Sequence, residues 1–375
     1  MKSILKRHAY LLLTLIVFFS PFVCHGAEIN AGDWILDVGG ALRMSYNEED
    51  CDGDCQDIWR TTDTSAYEDS DTYVTGDISQ VSISGARHME SGMNAVFKTE
   101  WRIDTPEGGD ETILTNHEQY LGLDGSWGLF RAGTIETPYM QTGNMLDPFW
   151  SDALSTRFFV DIQSALHHNT GKGRGRSTNT LRYDSPISES GITAQLFTAI
   201  DNSDDSDNAL GGGFIYTSQG MTLFMQYYDN SEAGDDEVSK FGAKFGSESF
   251  SFYGQYEYDQ GLISLSEGLS SLGTDDESTA DGDNTFENNE TTGADVWFLG
   301  TSYKTGKITL VYEYGERKDS HKGLVDKDGH TGWVLGLSLH LDKYVYCYMG
   351  YLEKEYNDDD KDKDTRYTFG VTLNF

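Results

Sequence analysis

Histidines are the residues of this chain whose chemistry draws attention first. Five of them, His117, His167, His168, His321 and His330, fall in predicted loops or at the ends of predicted strands. No serine, histidine and acid lie at a spacing that distinguishes a hydrolytic triad from chance. The adjacent His167 and His168 are a candidate metal pair, although neighbouring histidines in a polar loop more often bind nothing. We therefore predict no enzyme activity, no cofactor and no metal site.

Two cysteines lie close together in an acidic segment. Cys51 and Cys55 are spaced for a small disulfide loop in an oxidising compartment. The alternative is a metal site on Asp50, Asp52 and Asp54, but their spacing does not match a complete calcium loop. We predict a disulfide between the two cysteines.

The beginning of the chain predicts export. Basic residues precede an apolar run at 11–19, and small residues follow, among them Gly26. This order is the layout of a secretory signal peptide, which we place at 1–26. No later segment approaches the roughly 20 apolar residues of a membrane helix. If the mature protein lies in a membrane, it crosses as strands.

The charge balance excludes one class of partner. The chain has 62 acidic and 27 basic residues, which gives a formal net charge of −35 at pH 7. Binding to nucleic acid requires a clustered basic surface, so we predict no nucleic-acid partner. The acids in the predicted loops form either a plain solvated surface, or a field that concentrates cations, or sites where divalent cations bridge to lipid phosphates.

The segment 367–375 has the periodicity of a strand with one apolar face. Aromatic and aliphatic residues occupy alternate positions, and threonine, glycine and asparagine stand between them. A soluble sandwich also produces this pattern. In a lipid-embedded barrel the apolar face meets hydrocarbon, the polar face meets a wet lumen, and the last strand pairs with the first. The export signal favours the barrel.

The same periodicity recurs along the chain and predicts about 16 strands, an even number as in bacterial barrels. Strands begin near Trp34, Met93 and Thr365, and the others are expected at 74–89, 118–124, 129–134, 179–185, 192–200, 210–217, 221–229, 238–246, 250–259, 296–304, 308–316, 333–341 and 344–356. Short turns alternate with long acidic connections, which a soluble sandwich has no reason to do. Aromatic residues near the strand ends suit a membrane girdle, with core packing as the alternative.

The long connection after the strand at 129–134 contains aromatic as well as polar residues. After the strand at 129–134, aromatic residues such as Tyr139, Phe149 and Trp150 are interleaved with acids, and the segment ends in a basic run at 172–176. This composition suits a loop that packs inside a barrel rather than projecting into water.

In this region the chain resembles the general Gram-negative trimeric porins. The matching features are Gly133-Thr134-X-X-Thr137-Pro138, Leu146-Asp147-Pro148-Phe149, the arginine-rich exit, Asn179-Thr180-Leu181-Arg182-Tyr183-Asp184-Ser185-Pro186, and Phe375. One departure is Thr134, which stands where the family usually has an arginine. The resemblance implies an all-β transmembrane antiparallel barrel over 27–375, exported through the periplasm to the bacterial outer membrane. It also implies a homotrimer and a constriction loop at 137–176 that folds inward.

Carried onto this sequence, the resemblance implies a pore constriction in which loop acids face basic residues of the wall. The acids are drawn from Glu136, Asp147, Asp152 and Asp161. The bases are drawn from Arg43, Lys98, Arg102, Arg131, Arg174, Arg176 and Arg182. Strand parity independently gives lumen positions to Arg43, Lys98, Arg102 and Arg182. For any one of these residues, a solvated position elsewhere in the lumen is an equally good interpretation.

The sequence therefore predicts a passive diffusion channel for ions and small hydrophilic solutes, with a weak preference for cations. One alternative is a substrate-specific channel in which lumen-facing tyrosines form a stacking path for sugars. A second alternative is a structural or adhesive outer-membrane barrel whose lumen is plugged. Outer-membrane lipid is the expected surrounding partner in all three.

Overall fold

The structure is a computed structural model that describes most of the predicted strands. It describes residues 27–50, 70–76, 79–103, 114–156, 160, 169–170, 176–200, 208–229, 237–247, 249–260, 294–319, 321, 329–357 and 363–375. The predicted signal peptide at 1–26 and the predicted disulfide residues Cys51 and Cys55 lie outside these ranges. So do the site candidates Asp161 and Arg174, and the pair His167 and His168. Within the described ranges, no helix is long and apolar enough to cross a membrane.

The described strands form a single antiparallel sheet apart from one short parallel pairing. In chain order they are β1 (Ala27–Ala31), β2 (Trp34–Asp50), β3 (Ser70–Thr75), β4 (Gln80–His88), β5 (Asn94–Ile103), β6 (Leu114–Gly125), β7 (Gly128–Glu136), β8 (Asn169–Thr170), β9 (Arg176–Asp184), β10 (Ile192–Ala199), β11 (Ala209–Ser218), β12 (Met221–Asp229), β13 (Glu237–Gly246), β14 (Phe250–Asp259), β15 (Asp295–Thr305), β16 (Ile308–Arg317), β17 (His330–His340), β18 (Val345–Tyr356) and β19 (Lys363–Asn374). A short helix, α1 (Pro138–Asn144), follows β7.

The sheet closes on itself where β19 pairs with β2. The register runs from Thr365 opposite Asp50 to Asn374 opposite Ala41. Gly40 and Phe375 then exchange two backbone hydrogen bonds of 2.8 and 3.0 Å. Closure removes the open edge, which satisfies the requirement that every backbone polar group in lipid has a partner.

The closed sheet has sixteen strand positions. β1 pairs with β2 and continues the line of β19. β3 and β4 both pair with β2 and together form one interrupted strand. The two-residue β8 lies beside β9. The remaining described strands each pair with both neighbours around the ring. The prediction of an antiparallel barrel of about 16 strands is confirmed.

The single strand predicted at 74–89 is wrong in one respect, because it is broken between β3 and β4. At the break the Ser79 hydroxyl accepts a hydrogen bond from the Arg43 amide at 2.8 Å and contacts the carbonyl oxygens of Gly76 and Arg43. A side chain thus satisfies backbone groups that the ladder would otherwise pair. Sequence periodicity carries no signal for this break in the strand.

The two faces of the sheet differ as the alternation predicts. On β19 the outward Tyr367 and Phe369 are 57% and 50% exposed, whereas the lumen-facing Thr368 and Thr372 are 5% and 0% exposed. Exposed apolar side chains in a soluble protein would be unfavourable, but against lipid they are the expected surface. The outward face is therefore the membrane face.

A positive charge on this membrane face should destabilise the barrel according to its depth. Leu335 lies in the middle of β17 and is 53% exposed. We expect Leu335→Lys to cost about 2–4 kcal/mol of unfolding free energy, and Thr331→Lys, near the end of the same strand, about 0–1 kcal/mol. Equilibrium unfolding in lipid vesicles measures both. Equal costs at the two positions would contradict this assignment of the outward face.

Candidate functional site

The connection between β7 and β9 begins with a capped helix. Thr137 is the N-cap of α1 and its hydroxyl accepts a hydrogen bond from the Met140 amide at 3.2 Å. Pro138 occupies the first turn, where its missing N–H costs nothing and its fixed φ suits the helix. The Thr-Pro pair therefore turns the chain sharply away from the wall strand that it has just left.

Two side chains of α1 and one from further along this connection pack against the lumen side of neighbouring strands. Tyr139, Met140 and Trp150 are at most 3% exposed and share a buried cluster with side chains of β10 to β13, namely Phe197, Ala199, Ala209, Tyr228 and Val238. The Lys240 ammonium lies 4.1 Å from the centre of the Tyr139 ring. The connection is thus held on the inner wall by apolar packing and a cation–π contact.

The second half fills a hollow in the wall of β17 and β18. Leu146, Phe149 and Leu154 are at most 1% exposed. Gly336 and Gly350 lie opposite each other in register, and a Cβ on either would lie 2.5 Å from Phe149 or Leu154, respectively. The two glycines therefore leave the space that these loop side chains occupy. We call residues 146–154 the seated segment.

Asp147 organises the seated segment from within. Its carboxylate accepts hydrogen bonds from the Phe149 amide at 2.7 Å, the Ser155 hydroxyl at 2.9 Å, and the amide and hydroxyl of Thr156, both at 2.9 Å. Burial raises the pKa of Asp147, and these hydrogen bonds oppose that rise. The structure therefore places this predicted constriction acid in the interior of the loop, where it holds the fold of the loop.

Asp152 and its neighbour attach the seated segment to the seam of the barrel. The Asp152 carboxylate lies 3.8 Å from Arg43 Nε and accepts a hydrogen bond from the Tyr346 hydroxyl at 3.1 Å. The Ala153 carbonyl accepts a 3.0 Å hydrogen bond from Arg366. These contacts reach β2, β18 and β19, so the loop crosses the lumen to the strands that close the barrel.

Lys98 on β5 belongs to a charged group on another part of the wall. Its ammonium lies 2.7 Å from Glu118 and 2.8 Å from Glu100, and its side chain is 24% exposed. Glu100 also contacts His117 at 2.7 Å. A register shift after Glu100 turns the consecutive residues His117 and Glu118 both inward. His117 therefore lies within β6, and its predicted place in a loop or at a strand end is wrong.

Arg182 anchors the start of the loop to the wall. It donates to Asp184 at 2.7 Å, to the Glu136 carbonyl at 2.6 Å and to the Gln141 side chain at 2.5 Å. Arg131 contacts the same Asp184 carboxylate at 2.5 Å. Burial lets charge-assisted hydrogen bonds contribute more than they would at a surface, so this group fixes the root of α1.

The remaining predicted bases occupy separate positions. Arg176 is 9% exposed and lies opposite Glu136 in the register of β7 and β9. Arg102 is half-buried on β5, two residues beyond Glu100. The structure thus brings Arg43 together with Asp152, and it brings Arg131 together with Arg182, in two groups on different parts of the wall.

Sequence reasoning missed the acids and amides that partner these bases. Glu100, Glu118 and Asp184 are wall residues rather than loop residues, and strand parity relative to Lys98 and Arg182 was the available signal. A row of glutamines also continues from the loop along the wall: Gln195 donates to Gln141 at 2.9 Å, and Gln226 donates to Gln195 at 2.9 Å. Nothing in the sequence marks this row.

One thiol, and no cluster of metal ligands, lies in the part of the chain that the structure describes. In that part, no group of three or more histidine, cysteine or acidic side chains has the arrangement of a metal site. Cys347 lies in β18 as a free thiol.

Comparison with known proteins assigns this closed barrel to a family. The family model for Gram-negative porins matches residues 14–374. The chain belongs to the Gram-negative porin family. Members of this family are outer-membrane channels rather than enzymes, and this porin is a protein of the bacterial outer membrane.

Individual relatives of this porin are distant. It is 24% identical over 129 residues to the major outer membrane protein P.IB of Neisseria sicca, which covers 34% of each chain. It is 30% identical over 191 residues to a chitoporin of Vibrio furnissii, which covers 48% of this chain and 43% of that one. The matched stretches therefore span less than half the length of these relatives.

Solved structures resemble the porin over nearly its whole length. The anion-selective porin from Comamonas acidovorans has a TM-score of 0.69 at 15% identity, covering 91% of this chain and 100% of that one. Salmonella typhi OmpF in complex with daunomycin has a TM-score of 0.64 at 12% identity, covering 93% and 100%. At such identities the likeness establishes the fold alone.

Filling the hollow in the wall should displace the seated segment. We expect Gly336→Val to clash with Phe149 and to raise the rate at which a thiol reagent labels a cysteine placed at Ser151, in a Cys347→Ser background. Overpacking of this kind costs about 1–3 kcal/mol, which corresponds to roughly a fivefold or larger rise in labelling.

Two further variants complete this test. Leu335→Val changes the adjacent residue on the lipid side and should leave the labelling rate unchanged. Gly350→Ala should raise the rate in the same direction as Gly336→Val, because its Cβ meets Leu154. A labelling rate that stays at the wild-type value in both glycine variants contradicts the packing described for Phe149 and Leu154.

Proposed function

We propose that this porin is a passive diffusion channel for ions and small hydrophilic solutes, and that its connection at 137–176 forms the constriction. The observation that carries the proposal is the seating of residues 146–154 on one wall while charged side chains remain accessible on another. The side chains of Lys98, Arg131 and Asp184 are 24%, 12% and 15% exposed, respectively. A wet passage lined by fixed charges of both signs admits hydrated ions and polar solutes and disfavours apolar ones.

We also propose that the predicted site residues serve this constriction in different ways. Arg43 and Asp152 fasten the far end of the loop, Arg182 and Glu136 its root, and Asp147 its internal fold. Lys98, Arg102, Arg131 and Arg176 provide basic charge on the wall. Asp161 and Arg174 lie outside the described residues and remain candidates through their place in the same connection.

A weak preference for cations follows from the distribution of charge. Four of the predicted constriction bases lie beside at least one carboxylate, so they add little net positive charge to the wall: Arg43, Lys98, Arg131 and Arg182. The chain as a whole has a net charge of −35, and much of its acid lies in the long connections. These acids concentrate cations near the mouth, an effect that decays over about 10 Å at 0.1 M salt and about 3 Å at 1 M.

The decisive experiment is conductance of the purified protein in a planar bilayer. We expect open channels that close in steps of three, as a homotrimer would, and a reversal potential on the cation side under a salt gradient. The cation preference should shrink at high salt because the mouth acids are screened. A protein that inserts but remains silent contradicts the channel proposal and favours the plugged structural or adhesive barrel.

The substrate-specific alternative keeps one argument in its favour, the similarity to the Vibrio furnissii chitoporin. Its structural requirement is a row of accessible tyrosines in the lumen. Three of the lumen-facing tyrosines, Tyr228, Tyr253 and Tyr348, are at most 1% exposed because the loop covers them, so these three offer no stacking path. Concentration-dependent block of the channel current by a chitin oligosaccharide, absent with an unrelated oligosaccharide, would favour this alternative.

Removing one base from the accessible wall should strengthen the cation preference. Lys98→Gln leaves Glu100 and Glu118 without their shared counter-charge. We expect the cation-to-anion permeability ratio to rise about sevenfold, because one unit charge at roughly 7 Å in water shifts the energies of a cation and an anion by about 0.6 kcal/mol each, in opposite directions. Reversal potentials in a salt gradient measure this ratio. As a control, Lys318→Gln removes the same charge from an exposed position outside the lumen and should change the permeability ratio little. A wild-type permeability ratio in Lys98→Gln contradicts the role of Lys98 as a fixed charge beside the passage.

A further inference from the structure

Lys304 is a base of the inner wall that has no carboxylate beside it among the described residues. It lies on β15 with the parity of Val296 and Phe298, which are 3% and 1% exposed. The neighbouring Tyr303 has the other parity, faces outward and is 49% exposed. Lys304 is itself exposed, so its ammonium meets the water of the lumen. Since no described carboxylate pairs with this ammonium, the described wall leaves its charge without a counter-charge.

Two other inward lysines are engaged by the protein itself. The Lys98 ammonium lies 2.7 Å from the Glu118 carboxylate. The Lys244 ammonium, on the same side of the lumen as Lys304, donates to the Met145 carbonyl at 3.3 Å. A solute that binds at either lysine has to compete with a protein group, whereas a solute at Lys304 does not.

Lys304 lies at the end of the lumen where the connections are short. Two residues beyond it, Gly306 lies in the turn between β15 and β16. Short turns face the periplasm in outer-membrane barrels. The long acidic connections join the other ends of the strands, so the length of the barrel separates them from Lys304.

Two hydroxyl groups lie beside Lys304 on the inner wall. Thr309 on β16 is its register partner, and Ser338 on β17 is the register partner of Thr309. Directly opposite side chains of an antiparallel pair have Cβ atoms about 4.5–5.5 Å apart. In the part of the chain that the structure describes, neither hydroxyl has a hydrogen-bond partner. Lys304 therefore has two unused hydrogen-bond donors next to it.

His340 completes this group. It lies on β17 two residues beyond Ser338, with the same parity, and is half-buried. Its ring centre is 5.5 Å from that of Tyr346, whose hydroxyl donates to Asp152 at 3.1 Å. The Lys304 ammonium is near enough for its charge to act on the imidazole. The group thus offers an ammonium, two hydroxyls and an imidazole that packs against a tyrosine.

We infer that a small set of side chains at the periplasmic mouth of the lumen binds the phosphate group of a soluble solute: Lys304, Thr309, Ser338 and His340. A phosphate group has a negative charge and several acceptor oxygens. Lysine binds it as a point charge, and hydroxyl and imidazole N–H groups donate hydrogen bonds to it. The set contains no acid that would repel it. Glu248, in the adjacent turn, lies outside the described residues.

A soluble phosphate fits this surface better than the phosphate of a lipid headgroup. All four side chains have inward parity, whereas Tyr303 and Leu339, which would contact acyl chains, lie on the outward face. The inference names a solute class for the proposed channel and rests on that proposal. Its test reads binding without current, so a silent channel and an empty site give different results.

Protection of Lys304 from chemical labelling tests the site. The full-length protein in detergent micelles is acetylated with a limiting amount of amine reagent, and mass spectrometry of its peptides gives a rate for each lysine. The probe is pyrophosphate, compared with sodium chloride at the same ionic strength, which screens charge equally. Lys307 and Lys343 are internal controls, because both are exposed at the same end of the barrel in or beside the short turns.

We expect pyrophosphate to slow the acetylation of Lys304 along a saturation curve, by about threefold at twice the dissociation constant, and to leave the rates at Lys307 and Lys343 unchanged. T309V/S338A removes the two unused hydroxyls and should raise the dissociation constant about fivefold or more. The matched control is S251A/S302A, which removes two hydroxyls of the same wall that bond each other at 2.7 Å. This control should leave the dissociation constant unchanged.

Several results overturn the inference. One is an acetylation rate of Lys304 that pyrophosphate does not change, and another is equal slowing at Lys304, Lys307 and Lys343, which indicates diffuse screening. A dissociation constant that is unchanged in T309V/S338A, or raised equally in both double variants, also overturns it. Protection of Lys304 by dihexanoyl phosphatidylglycerol but not by pyrophosphate overturns it in favour of a lipid headgroup.

Discussion

The need to pair every backbone polar group away from water governs this structure. Hydrocarbon supplies no hydrogen-bonding partners, so a sheet in lipid is stable only when its first and last strands meet. Here β19 meets β2 over ten residue pairs, from Thr365 with Asp50 to Asn374 with Ala41. Closure then divides every strand into an outward face, which is apolar, and an inward face, on which polar and charged side chains can collect. The outward face therefore contacts lipid, and the inward face contains the charged residues of the candidate site.

The inward face is not uniform, and the loop packs against the part that has space for its apolar side chains. One part of the wall has glycines at Gly336 and Gly350, so the apolar side chains of the seated segment sink into it. Another part, on β5 and β6, has Lys98 in contact with both Glu100 and Glu118, and the Lys98 side chain is 24% exposed. The loop therefore packs against one part of the wall and leaves Lys98 accessible on another. Charged side chains that do lie against the loop have partners in it: Lys240 lies over the Tyr139 ring, and Arg43 lies 3.8 Å from Asp152.

Arginines hold the loop at its root and at the point where it reaches the seam of the barrel. Arg182 binds the root through Gln141 and the Glu136 carbonyl, and Arg366 binds the far end through the Ala153 carbonyl. Because Arg366 also contacts Glu49 across the seam, the far end of the loop rests on the contact that closes the barrel. The position of the loop and the closure of the sheet are therefore coupled. A distortion at either one is transmitted to the other through buried hydrogen bonds.

Local sequence determined the strands and their faces, because alternation with a period of two is a property of each strand alone. The outward positions of Tyr367 and Phe369 and the inward positions of Arg43 and Lys98 follow from this rule. The composition of the connection after β7 likewise predicted that it packs inside. Tertiary structure alone decided which charges meet. Asp147 folds back on its own loop, Asp184 binds Arg131 as well as Arg182, and the bulge at His117 turns two consecutive residues inward. None of these arrangements follows from the period of two that fixes the faces of a strand, so they leave no periodic trace in the sequence.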